Sequence, residues 1–219
     1  MPKPKNDKRQ SQKLKFGNPW ISPDVSMQLR PLKPVFEKLR SVHEYYIASL
    51  RKNDDCGFWY RERPHIGFLA AAIWLAGGIA LEEYGTHKTI KQKRKRGRAD
   101  LYFKIANSSF YCEAKHLTLT LGKDTVALSR KVCAKLKKQP VDSGYCKLGY
   151  VLALCFVTVR VADKPNKMRR ELLTLINDLK ESLIQGSCCK GCFGLEPKND
   201  NPSKLKTTNI WVSSLPYAQ

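Results

Sequence analysis

The stretch from Gly97 to Leu117, GRADLYFKIANSSFYCEAKHL, constrains the fold more than any other part of the chain. Leu101, Phe103 and Ile105 alternate with Asp100, Tyr102 and Lys104, and Phe110, Cys112 and Ala114 alternate with Tyr111, Glu113 and Lys115. A period of two is the mark of a half-buried β-strand, because successive side chains leave a pleated backbone on opposite sides. The intervening ANSS is turn-like, so the two segments are expected to pair as a hairpin. That pairing sets Asp100, at the start of one strand, near Glu113 and Lys115 at the end of the next.

Two carboxylates and an ammonium at one spot make a specific chemical group. Carboxylate oxygens suit a hard cation such as Mg²⁺ (or Mn²⁺), which keeps several of its waters. A lysine beside it orients or activates a water against a phosphodiester and offsets charge on the phosphate. The expectation is a metal site of Asp100 and Glu113, with Lys115 as catalytic partner. The alternative is a solvent-facing hairpin with a surface Glu-Lys pair, since Glu-x-Lys alone is a common string. The acid at hairpin distance and the apolar flanks favour the site. His116 would face the other way in a regular strand, which suits a structural role, whereas Tyr102 shares the Asp100 face and could touch substrate.

Charge narrows the partner. The chain of 219 residues carries 40 Lys and Arg against 19 Asp and Glu, a formal charge of +21. Such a balance favours a polyanion, nucleic acid first and an anionic membrane surface last. Residues 1–34 read as a basic, partly disordered arm and proline-rich lead-in, and 35–219 as a single domain. The run from Lys88 to Arg98, KTIKQKRKRGR, holds seven basic residues and no acid, and leads directly to Asp100. Lys93, Arg94, Lys95, Arg96 and Arg98 are therefore expected to grip phosphates flanking the site, with a solvated basic loop as the alternative. Arg130, Lys131 and Lys135, on one face of a predicted helix, are expected to do the same.

Other features bound the setting. The N-terminus is charged with no apolar core of a signal peptide behind it, so the expectation is a cytoplasmic protein. The apolar run from Ile66 to Leu81 is sixteen residues, short for a membrane span and suited to a buried helix. Cys112, Cys133 and Cys155 fall in predicted elements as small core residues. Cys188, Cys189 and Cys192 form a C-x-x-C with an adjacent cysteine but lack a second pair, so free thiols are favoured over zinc, which would need Cys146 or His116 brought in by the fold.

Along the chain, helices are expected over Val35–Leu50, Pro64–Tyr84, Asp124–Lys138 and Lys167–Ile184. Strands are expected over Thr86–Lys93, at Asp100, at Glu113, in GYVLALCFVTVRV and in TTNIWVSSL. This order predicts an α/β fold, specifically a three-layer α/β/α sandwich with a central mixed sheet.

These residues resemble the PD-(D/E)xK nuclease superfamily, with its restriction-endonuclease-like fold, over Glu62 to Val159. In that family the first acid opens the second core strand and E-x-K lies on the third, matching Asp100, Glu113 and Lys115; Ala99 stands where a proline often precedes the acid. The resemblance implies Mg²⁺-dependent hydrolysis of phosphodiester bonds, DNA favoured over RNA, with a homodimer suited to double-strand cleavage. It also implies a further acid from the preceding helix, for which Glu62, Glu82 and Glu83 are candidates. A helix of twenty residues separates its ends by about 30 Å, and its C-terminus joins the far end of the first strand, so Glu62 is expected at the site. The rival reading is a catalytically inactive, basic nucleic-acid-binding protein.

Overall fold

The computed structural model describes residues 15–16, 20–21, 29–49, 57, 60–90, 93–120, 124–143, 150–160, 171, 173–179, 181–182, 192–195, 197–198 and 207–215. The elements are β1 (Lys15–Phe16), β2 (Trp20–Ile21), α1 (Leu32–Ser49), α2 (Glu62–Leu75), β3 (Ile79–Ile90), β4 (Lys93–Ile105), β5 (Ser108–Thr120), α3 (Thr125–Ser143), β6 (Tyr150–Arg160), α4 (173–179), β7 (Cys192–Leu195), β8 (Pro197–Lys198) and β9 (Thr207–Leu215). They build a mixed α/β structure. A sheet in the order β2-β7-β9-β6-β5-β4-β3 runs through it. Its β5–β6 pair is parallel and its other pairings are antiparallel.

Alternation along the central strands sorts the core into two clusters. Phe110, Cys112 and Ala114 of β5 join Leu152, Leu154 and Phe156 of β6 with residues of α1 and α2. Ala153, Cys155 and Val157 of β6 join Val132, Cys133 and Leu136 of α3 with Leu175, Ile176 and Leu179 of α4. All of β6 from Val151 to Thr158 is buried, as its continuous apolar run predicts. Cys112, Cys133 and Cys155 are buried free thiols. The three-residue signal Cys188, Cys189 and Cys192 lies largely outside the described residues; of these only Cys192 is placed, at the start of β7.

Several boundaries differ from the sequence expectations for physical reasons. Helix α1 starts at Leu32 rather than Val35, because Pro34 then falls in the first turn, where no intrahelical donor is lost. Leu29 and Leu32 are buried core residues, and β1 and β2 pair with β8 and β7, so parts of the proline-rich lead-in belong to the folded body.

The larger correction is at α2, which ends at Leu75 and not near Gly85. Gly77 adopts φ 82°, its N–H donates to Trp74 O at 3.0 Å, and the Gly78 N–H donates to Ile73 O at 2.9 Å. This is a Schellman stop, in which glycine relieves the left-handed position. The residues that follow, Ile79 to Leu81, are as apolar as the helix, so periodicity alone could not separate them from it. Glu82 and Glu83 consequently sit on β3, and the strand begins at Ile79 instead of Thr86. The basic run forms the two arms of the long β3–β4 hairpin rather than a loop.

Gly78 is the tightest point of this junction. A Cβ there would lie 2.7 Å from the Lys104 carbonyl oxygen and 2.8 Å from Ile73 Cγ2. Backbone cannot give way as a flexible side chain would. Gly78→Ala is expected to destabilise the fold by roughly 1–3 kcal/mol, read as a lower denaturation midpoint at unchanged m-value. A variant as stable as the parent would contradict this packing.

Candidate active site

Asp100 is the eighth residue of β4 rather than its first, and it marks an irregularity shared by three strands. On the β3 side the register runs Glu82↔Leu101 and then Tyr84↔Ala99, skipping the step at which Glu83 faces Asp100. Glu83 has φ 52°, a left-handed conformation uncommon for a residue with a side chain. The alternation slips here. Leu101, Phe103 and Ile105 belong to the α1–α2 cluster, whereas Ala99 packs with Val151, Tyr84 and Tyr111.

On the β5 side the antiparallel ladder ends at Leu101↔Cys112, while β5 continues beside β6 to Thr120. At this parting of β4 from β5 the Ala114 N–H donates to Asp100 Oδ2 at 2.7 Å. The Asp100 carboxylate thus replaces the main-chain acceptor that β4 no longer offers. Lys115 Nζ donates to the Ala114 carbonyl at 2.7 Å. In extended backbone the N–H and C=O of one residue point to the same lateral edge. Asp100 and Lys115 therefore both bond to the Ala114 peptide groups along the edge of β5 that β4 vacates. Glu113 and Lys115 alternate with Cys112 and Ala114, so they share the sheet face opposite α2.

Glu113 belongs to the same electrostatic neighbourhood. Burial, then the charges of Asp100 and Glu113, push the Cys112 thiol well above its ordinary value, so both acids act on one buried group. Two carboxylates with oxygen donors fit a hard divalent cation that retains water. Among the described residues no three His, Cys, Asp or Glu side chains gather into a metal-holding group.

Glu62 opens α2, its carboxylate suited to the positive end of the helix dipole. It is close enough to His116 to oppose the lowering of that imidazole by burial. The N-terminal end of α2 does reach the level of Asp100, since Arg63 ion-pairs with Glu83 at 3.1 Å. The route differs from the one expected: β3 doubles back beneath α2, and Asp100 faces the fifth residue of β3 and not its end. Glu62 does not join Asp100 and Glu113 in a three-acid cluster. Glu82 lies along α2, its Oε1 3.8 Å from the Cβ position of Gly67.

The basic residues divide. Arg98 pairs with the second Glu83 oxygen at 3.1 Å, so one carboxylate holds Arg63 and Arg98 together. Both guanidinium side chains stay exposed, at 77% and 66%. Arg96 is exposed on β4, and Arg130, Lys131 and Lys135 are exposed on α3. Lys135 is near enough to lower the Cys155 thiol, whose burial nonetheless holds it at about 12; Cys155 is the register partner of Lys115. Lys93, Arg94 and Lys95 lie on the β4 arm, and their side chains fall outside the described residues.

Three features escaped sequence reading. Arg63 is recruited only because α2 stops early. Glu83, a candidate acid of the preceding helix by sequence, instead takes a left-handed position on β3 and bridges Arg63 and Arg98, a role that no pattern encodes. Tyr84, Tyr102 and Tyr111 gather on three adjacent strands, and the hairpin register alone would have paired Tyr102 with Tyr111.

His116 faces the α2 side, opposite Lys115, as alternation predicts. Its Nε2 is 2.8 Å from Thr158 Oγ1, and its ring stacks on His65. Comparisons with protein-family models, curated proteins and solved structures find no match to this chain.

Proposed function

We propose that this chain is a metal-dependent nuclease of restriction-endonuclease-like, three-layer α/β/α architecture, hydrolysing phosphodiester bonds of nucleic acid, DNA in preference to RNA. The observation that carries the reading is the Asp100 carboxylate seated on the Ala114 N–H within Glu113-Ala114-Lys115, where β4 leaves β5. Asp100 and Glu113 would hold Mg²⁺ or Mn²⁺ by carboxylate oxygen. A bound cation supplies Lewis acidity and neutralises charge on the transferring phosphoryl group. Lys115 orients the attacking water and assists its deprotonation. Arg63, Arg98 and Arg96 hold flanking phosphates on one side, and Arg130, Lys131 and Lys135 on the α3 side.

Glu62, beside His116 on the α2 side of the sheet, enters as an acid that would reach a hydrated cation at the β5 edge only through water. Mg²⁺ keeps part of its hydration shell, and among the described residues no three-acid cluster offers direct ligation. Glu62→Gln is accordingly expected to slow cleavage by about 10–100-fold, in the range of supporting-shell losses. Loss as complete as for Asp100→Asn would make Glu62 a direct ligand, and no loss would remove it from the site.

Three buried free thiols accord with a reducing, cytoplasmic setting. Among the residues searched no helix is long and apolar enough to cross a membrane. Cleavage of both strands of a duplex would call for a homodimer. The second reading, a binder without catalysis, draws on the formal charge of +21, which fits it equally well. Against it stand two acids set inside a strongly basic surface, where they weaken phosphate binding unless a cation lies between. Plasmid and single-stranded DNA incubated with Mg²⁺, with Mn²⁺ and with chelator separate the two. Cation-dependent nicking or degradation is expected; tight binding with no cleavage under any condition selects the binder.

A further inference from the structure

Tyr84 of β3, Tyr102 of β4 and Tyr111 of β5 bring their rings together on one side of the sheet. Ring centroids are 4.8 Å apart for Tyr84–Tyr102, 5.1 Å for Tyr102–Tyr111 and 6.4 Å for Tyr84–Tyr111. Buried Ala99 and Val151 support the group, and each ring remains only partly buried. Tyr102 lies two residues from Asp100 and Tyr111 two residues from Glu113, about 7 Å along each strand. Exposed Arg96 and Arg98 occupy the same β4 segment. The slip at Glu83 and Asp100 creates the cluster, because it turns Tyr84 and Ala99 to the side that Tyr111 occupies.

Partly exposed aromatic rings two residues from the proposed acids have a specific complement. Inside a duplex the bases are stacked on each other and offer no free π-face. Unpaired bases do, and base–aromatic stacking is sequence-tolerant. We propose that Tyr84, Tyr102 and Tyr111 form a stacking platform for unpaired bases, so that the Asp100 site takes single-stranded or locally unpaired nucleic acid. This rests on the proposed action of that site on nucleic acid and adds the strandedness of its substrate.

Binding measured in chelator keeps the platform separate from catalysis. The probes are a labelled single-stranded oligonucleotide, the same sequence annealed to its complement, and an abasic strand of equal length, all at one salt concentration. The wild-type protein is expected to bind the base-bearing strand more tightly than the abasic strand, which keeps the phosphates and removes the rings. Tyr102→Leu and Tyr84→Leu should each weaken single-strand binding by about 5- to 100-fold while leaving duplex binding unchanged. Tyr→Phe at either position should restore it. The abasic comparison needs no variant, so a Leu variant that fails to fold does not rescue the idea. Equal affinity for abasic and base-bearing strands, or equal losses on duplex and single strand, overturns the platform but leaves cleavage at Asp100 standing. Binding to none of the three overturns both.

Discussion

Asp100→Asn is expected to lower cation-dependent cleavage by about 10³-fold or more. A metal contributes several kcal/mol of transition-state charge stabilisation, and ~4 kcal/mol corresponds to about 10³ in rate. The asparagine side-chain oxygen can still accept the Ala114 N–H, so the junction of β4 with β5 is retained. What is removed is the negative charge that holds the cation. Nucleic-acid affinity in chelator should be unchanged or slightly higher, because one acid inside a basic surface has been neutralised. A melting temperature close to the parent's separates lost chemistry from lost fold. Retained cleavage in a folded Asp100→Asn protein would end the assignment of this carboxylate.

The largest stability effect is expected from acid. His43 of α1 and His65 of α2 are both buried. Burial, then the charge of His65, holds His43 down at about 3, and burial, then His116, holds His65 at about 3, against an ordinary 6.5. The rings are enclosed by aromatic neighbours: His43 lies 5.1 Å from Phe68, and His65 lies 4.7 Å from Phe156 and 5.6 Å from His116. Well above pH 6.5 both states of each histidine are neutral and the groups add no pH dependence to stability. Between pH 6.5 and about 3 the unfolded chain carries the extra proton, so stability falls as the pH falls. The slope is about 1.4 kcal/mol per pH unit for each histidine, on the order of 5 kcal/mol each across the window as an upper estimate. Denaturant unfolding at a series of pH values checks this. Carboxylates also titrate at the acid end, so the informative quantity is the difference between parent and His43→Phe. That variant should show a shallower decline, and parallel curves would refute a buried neutral His43.

The strands that carry the candidate site are legible in the sequence. Period-two alternation identified β4 and β5, the continuous apolar run identified β6, and TTNIWVSSL became β9 with the expected bounds. The helix that precedes the hairpin was misjudged because its stop lies in the backbone conformation of Gly77, between two equally apolar stretches. The same gap hid the place of Glu83 on β3 and its left-handed conformation. Alternation assumes a regular ladder, and the skipped step between β3 and β4 is a departure from it. The expected meeting of Asp100 with the Glu113–Lys115 segment depends on a simple hairpin register and is present as the Asp100–Ala114 hydrogen bond. The placement of Glu62 depended on how a helix folds back over a strand. That is tertiary geometry, which spacing along the chain does not carry.

The central claim is that Asp100, Glu113 and Lys115 act as one hydrolytic group, and Lys115→Ala tests it most directly. Cleavage of labelled DNA in Mg²⁺ by the wild type and the variant should be measured beside binding of the same DNA in chelator. The account predicts that the variant binds as the wild type does and does not cleave. Cleavage by Lys115→Ala at the wild-type rate would contradict it.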